Sequence, residues 1–292
     1  MRIYPDTIIW NLLCDHGVGP EILLDSLAAR GATLVVSFHA VYELARNFQH
    51  DDEKGNARGR RLFAYLKKYL DLGIPNTKEL WELIVEEAYA LENGLSEIDP
   101  MATPEQCTIT RVEVYKLADG IVEDRVKQFL EQRFRFSEDT QEQQKNHIAD
   151  RDELKRHLQD ISEAALPQWL QAETSKAMGV NMLYRHLVKM LPGPQFTLGY
   201  AHRLLSFALA DASRAIVRAD LYSNWRCAKH GSNRRDLIDD MLHVLQATYC
   251  DLYVTEEKKQ TNYAHLFLTP RTRVEVYPCR SKPIDHWLVS LV

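Results

Sequence analysis

Five carboxylates occupy positions from which metal chemistry could be done: Asp6, Glu43, Asp240 and the adjacent pair Glu256 and Glu257. Each stands at the edge of an apolar run. Asp6 closes the first, around Ile3 and Tyr4. Glu43 lies about one and a half turns into the helical pattern FHAVYELARNFQ, which follows the second run, ATLVVS. Asp240 falls in the amphipathic stretch DLIDDMLHVLQATY ahead of the third run, DLYVT, and Glu256 and Glu257 follow that run directly. Open parallel sheets bind ligands beyond the carboxyl ends of their strands, so all five acids are expected along one sheet edge. Hard divalent cations such as Mg²⁺ or Mn²⁺ take carboxylate oxygens and complete their shells with water and substrate phosphate, which suits a donor set without cysteine. Acids held this close raise one another's pKa, and a bound cation relieves that repulsion. Asp236 shares a helix face with Asp240 at a spacing of four and is an auxiliary candidate, whereas Asp239 is turned about 100° away from Asp240.

The elements that would position these acids follow from periodicity. Residues 2 to 13 read as a buried strand with an apolar continuation through Ile8, Ile9, Trp10, Leu12 and Leu13. PEILLDSLAAR begins with proline and an acid, as first helical turns favour, and ends at Gly31. ATLVVS is a second buried strand, and Ser37 is placed to cap the helix carrying Glu43. Strand, helix, strand, helix implies a parallel sheet. From residue 58 to 232 the pattern becomes helical, including RLFAYLKKYLDLG, TKELWELIVEEAYAL, GIVEDRVKQFLEQRFRF and one long helix from Tyr200 to Tyr222. Near Arg235 the mixed pattern returns, with RVEVYP as the last strand. The expected fold is α/β: a parallel sheet flanked by helices, built from residues 1–57 and 233–292, with a large central all-helical insertion or cap at 58–232.

The two ends also resemble the PIN-like nuclease family, over residues 1–50 and 233–280. DTIIWNLL resembles the opening Asp-Thr or Asp-Ser motif, and SFHAVYELAR the second, in which a glutamate precedes Leu-Ala. DDMLHVLQATYCDLYVTEEKK is similar to the third and fourth motifs, where an aspartate begins a helix and a short strand ends in threonine, any residue, then an acid. The resemblance implies a PIN-like fold in which Asp6, Glu43, Asp240 and Glu257 are catalytic metal-site acids, with Thr255 as a supporting hydroxyl. It further implies a Mg²⁺- or Mn²⁺-dependent endonuclease that hydrolyses phosphodiester bonds, in RNA more than DNA, in the manner of a toxin or defence effector. Two departures matter: the fourth acid is commonly aspartate in the family but is Glu256 or Glu257 here, and Asp239 stands where asparagine is common. The alternative is a catalytically inactive PIN-fold module that binds RNA or protein.

The remaining features carry paired readings. Thr7 either hydrogen-bonds a metal-bound water or caps a turn. His243 lies one turn after Asp240 and His39 one turn before Glu43, and both read as structural histidines. The run from Ser213 to Asp236 holds Arg214, Arg218, Arg226, Lys229, Arg234 and Arg235, with Tyr222 and Trp225 interleaved. Its cations could meet phosphates and its aromatics could stack on bases, or it is an exposed basic face. A net charge of -5 and a pI near 6.1 argue against non-specific coating of nucleic acid. The five cysteines show neither zinc-knuckle nor disulfide spacing. MRIYPDTIIW lacks the succession of a signal peptide, and no stretch suits a membrane span. The expectation is therefore a cytoplasmic protein, with the helical block available for self-association or a regulatory partner.

Overall fold

The computed structural model describes residues 1–48, 53–124, 126–127, 152–190, 196–231, 237–278 and 282–292. β1 (Arg2–Pro5) turns through Asp6 into α1 (Thr7–Asp15), and α2 (Pro20–Ala28) leads to β2 (Thr33–Leu34), β3 (Val36–Ser37) and α3 (Phe38–Leu44). After a 3-10 turn, α4 (Glu53–Asp71) leads to β4 (Asn76–Thr77), α5 (Leu80–Asn93) and α6 (Pro104–Ala118). A run of helices follows: α7 (Asp152–Asp160), α8 (Leu166–Thr174), α9 (Ala177–Met190), α10 (Leu198–Ser206) and α11 (Asp211–His230). The chain then forms α12 (Leu237–Gln246), β5 (Leu252–Thr255), α13 (Lys258–Phe267), β6 (Arg273–Val276) and α14 (Ile284–Ser290). No helix among the described residues is long and apolar enough to cross a membrane.

The protein is α/β, mostly helical, around a small parallel sheet of order β2-β1-β5-β6. β3 and β4 form a second parallel pair. The two sheets are linked by one extended segment. Val35 still donates its N–H to Ile3 O at 2.9 Å, and Val36, the next residue, donates to Pro75 O at 3.1 Å. Alternation along the central strands sends side chains to both faces. Ile3, Leu34, Leu252 and Val254 pack against α1, α2, α4, α6 and α14, while Tyr4, Val35 and Tyr253 pack against α5 and the helices α8 to α13. Burial on both faces explains why these strands read as unbroken apolar runs.

Three expectations are corrected. The apolar stretch after Asp6 is helix, not strand: Pro5 ends β1, and Ile9, Trp10 and Leu13 are buried at helical spacing. The segment 58–232 is not all helical, because β4 lies within it and pairs with β3. The long helix from Tyr200 to Tyr222 is two helices, broken where Phe207 adopts an extended conformation. Arg214 stabilises that break by donating to the carbonyls of Phe207 at 2.6 Å and Ala208 at 3.0 Å, which the interrupted helix no longer pairs in its regular pattern. The helical reading of GIVEDRVKQFLEQRFRF and the proline turn at 192–194 fall largely outside the described residues.

One buried contact anchors the helical layer. Ala210, the residue before α11, makes no side-chain cap, so the first amides of that helix need acceptors from elsewhere. Glu87 of α5 supplies them: its carboxylate accepts from Ala212 N at 2.5 Å, Ser213 N at 2.8 Å, Ser213 Oγ at 2.5 Å and Tyr249 Oη at 2.5 Å. Burial pushes the Glu87 pKa up to about 7 despite these donors. The native state therefore takes up a proton more readily than the unfolded chain. This group's stabilising contribution is full below the unfolded value of 4.5 and is lost as pH rises through 7. Glu87→Gln leaves donors unsatisfied and is expected to destabilise the protein by about 2 kcal/mol. Urea unfolding should show a larger loss at pH 5 than at pH 8, and a loss that grows with pH would contradict the assignment.

Candidate functional site

β1 lies inside the sheet, with β2 on one side and β5 on the other, so the crevice at their carboxyl ends is the topological switch point. Asp6 and Thr255 both stand there. The Asp6 amide continues the ladder by donating to Val254 O at 3.0 Å, and Asp6 Oδ1 caps α1 by accepting from Ile9 N at 2.9 Å. Its other oxygen accepts the Thr255 hydroxyl in a short hydrogen bond, and Thr255 Oγ1 in turn accepts the Glu257 amide at 3.0 Å. Asp6 is fully buried, and that burial pushes its pKa up to about 7. The Thr255 and Ile9 hydrogen bonds oppose the rise, while the charges of Glu43 and Glu257 add to it.

Glu43 approaches from α3, a helix capped by Ser37 Oγ through the Ala40 amide at 3.0 Å. Its carboxylate accepts from Thr7 Oγ1 at 3.0 Å and Arg46 Nη1 at 3.2 Å, and it contacts His243 Nε2 directly. Asp240 on α12 and Glu257 ahead of α13 share one cation: Lys259 Nζ lies 3.0 Å from Asp240 Oδ2 and 3.0 Å from Glu257 Oε2. Burial works against the Lys259 charge, but its bonds to the two acids outweigh that and hold its pKa above the usual lysine range. Hydrogen bonds and ion pairs thus join Asp6, Thr255, Glu257, Lys259 and Asp240 in one chain, and the Glu43 charge is felt at Asp6, with Thr7 orienting Glu43 and Thr255 orienting Asp6; among the described residues no three of the four acids lie within 4.8 Å of one another. Glu256 is half-buried beside it, and Asp236 falls outside the described residues.

No family model, curated protein or solved structure matches the chain.

Part of the basic run is engaged within the chain itself. Tyr222 and Trp225 are buried in the helical core and are not available to stack on bases. Arg214 and Arg218 donate to carbonyls of their own chain, Arg218 to Phe267 O at 3.1 Å. Lys229 is exposed and donates to Gln159 O at 2.6 Å, while Arg226 is half-buried on α11. Arg234 and Arg235 lie outside the described residues.

Sequence reasoning set aside three residues that the structure brings to the cluster: Lys259, His243 and His39. The histidine signal was present, since His39 precedes Glu43 by four and His243 follows Asp240 by three, both same-face spacings. Lys259 carried no comparable signal, because a lysine opening a helix is ordinarily solvated. Lys259→Met is expected to leave Asp240 and Glu257 facing each other without their cation. The three side chains retain roughly a third or less of their exposure, so the loss should be about 1 kcal/mol by thermal unfolding in chelator. Millimolar Mn²⁺ should restore stability to the variant more than to the wild type. Equal responses would show that Lys259 does not stand where a cation binds.

Proposed function

We propose that this chain is a divalent-metal-dependent endonuclease of the PIN-like type that hydrolyses phosphodiester bonds, with RNA favoured over DNA. The observation that carries the reading is the Lys259 ammonium held between Asp240 and Glu257 beside the strand-end carboxylate of Asp6, whose pKa the charges of Glu257 and Glu43 raise. The donor set fits Mg²⁺ or Mn²⁺, because it is all carboxylate oxygen and attracts positive charge. When bound, such ions supply a water of lowered pKa and neutralise charge on the attacking and leaving oxygens.

The chain's own residues do the positioning. Thr255 fixes one oxygen of Asp6 while Ile9 N fixes the other, so the carboxylate cannot rotate away. Thr7 and Arg46 orient Glu43. Lys259 holds Asp240 and Glu257 at one distance from a common charge, so that a cation bound there would leave its ammonium available to an anionic substrate. The preference for RNA and the toxin or defence role rest on the family resemblance.

A second reading has one observation in its favour. An ammonium that neutralises Asp240 and Glu257 is also what a catalytically inactive fold would use in place of a metal, leaving a module that binds RNA or protein. Labelled RNA and DNA incubated with purified protein in Mn²⁺, Mg²⁺ or chelator decide between them. Cleavage is expected with metal only. Asp6→Asn and Asp240→Asn should each reduce it by more than the roughly 10- to 100-fold typical of losing an outer-shell partner. Cleavage that survives both substitutions would sink the site, and RNA binding without cleavage under any metal would establish the inactive module.

A further inference from the structure

His39, Glu43 and His243 meet on the inner side of the acidic edge. One donor atom from each lies within 4.8 Å of the others. His243 is 1% exposed and His39 7%, and their rings pack edge to face with centroids 4.6 Å apart. The two rings come from different elements, α3 and α12, and both reach Glu43. We propose that these three side chains form a binding site for a borderline divalent cation of the zinc class, chemically distinct from the carboxylate edge.

Donor type carries the first step. Two imidazole nitrogens with one carboxylate oxygen suit Zn²⁺ and its neighbours far better than Mg²⁺, which seeks oxygen and waters. Distance carries the second. Donors about 2.1 Å from one zinc ion lie at most about 4.2 Å from each other, so a 4.8 Å spread closes with small side-chain rotations. The outer shell carries the third. His243 Nδ1 faces Tyr4 Oη at 3.4 Å, and Tyr4 Oη bonds Ser37 Oγ at 2.8 Å, which leaves Nε2 aimed at Glu43. Ligating histidines are normally oriented in this way through their second ring nitrogen. In the tautomer that donates Nδ1–H to Tyr4, Nε2 and the Glu43 oxygen are both acceptors and need a proton or a cation between them, whereas in the other Nε2–H donates to Glu43 and a metal takes the place of that proton. Arg46 at 3.2 Å from Glu43 opposes a further positive charge, whereas Glu79, whose Oε1 accepts the His39 amide at 3.1 Å, favours it. The site stands on these donors whether or not the acidic edge cuts nucleic acid. Because Glu43 is common to both, an ion here draws that carboxylate away from the switch point.

Metal-stripped protein titrated with Co²⁺, a spectroscopic stand-in for Zn²⁺, tests the site directly. One equivalent should bind with visible absorption bands, and Zn²⁺ should displace it. His39→Gln and His243→Gln should each weaken binding by more than about tenfold, while Asp240→Asn retains it. Wild-type protein labelled with ¹⁵N-histidine provides a readout that does not depend on a variant folding: Zn²⁺ should shift the imidazole nitrogens of two histidines, and those signals should be absent from the two substituted proteins that fold. Unshifted imidazoles, or histidine variants that bind Co²⁺ like the wild type, would overturn the proposal. Loss of cleavage in Asp240→Asn with the Co²⁺ bands intact would separate this site from the nuclease reading.

Discussion

The carboxylate of Asp6 joins three parts of the protein. Its residue extends the pairing of β1 with β5, one oxygen caps α1, and the other accepts the hydroxyl of Thr255 at the end of β5. Removing a carboxylate from water costs several kcal/mol unless donors replace the lost hydration. Here two donors do so in part, and the pKa of about 7 records the balance that remains. A rigid, partly uncompensated acid at the centre of a sheet edge would be a poor choice for stability alone. Its tether to Thr255 also sets the position of Glu257, whose amide is bound by the same hydroxyl. The geometry of the acidic edge is therefore determined by the junction of the two central strands.

The helices between α5 and α11 bear on that edge as well, although none of them supplies an acid to it. Asp240 is carried by α12 and Lys259 by α13, and both helices pack against α11 on the Tyr4 and Tyr253 face of the sheet. α11 is held at its start by Glu87 of α5, which provides the cap that its own sequence lacks. At its far end Gly231, with φ 77°, terminates the helix in a left-handed conformation that a side chain would resist. A disturbance at Glu87 is thus transmitted through one helix to the two that carry Asp240 and Lys259.

How much of this was legible in the sequence depended on whether the signal was local. Strands buried on both faces declare themselves as apolar runs, and Ser37 and Gly94 mark helix ends by local chemistry, so the α/β pattern and the strand-end acids could be read directly. α1 was misread because Ile8, Ile9, Trp10, Leu12 and Leu13 are apolar on nearly every side; the deciding feature was Asp6 as an N-cap. α6 was not singled out within the block read as helical because its interior is rich in β-branched residues and poorly amphipathic, although Thr103 and Gln106 make a capping box at its start and Pro104 opens the helix. The break between α10 and α11 depends on Arg214 reaching back to carbonyls, which periodicity does not report. Tyr222 and Trp225 looked available to ligand because their neighbours are basic, yet burial is decided by helices far away in the chain.

Charge at the acidic edge is balanced locally rather than by the protein as a whole. Arg46 engages Glu43, and Lys259 engages Asp240 and Glu257, while Asp6 has neutral donors only. A net charge of -5 offers no general attraction for phosphate, and Arg214 and Arg218 are occupied with carbonyls of their own chain. On the proposed reading, cations within the edge would therefore add to the attraction for an anionic polymer. A divalent ion between Asp240 and Glu257 would, on that reading, neutralise them more fully than one ammonium and would leave Lys259 free to face outward. The acids that repel phosphate would then become part of a surface that attracts it, and the proposed reading accordingly expects cation and polymer to bind cooperatively.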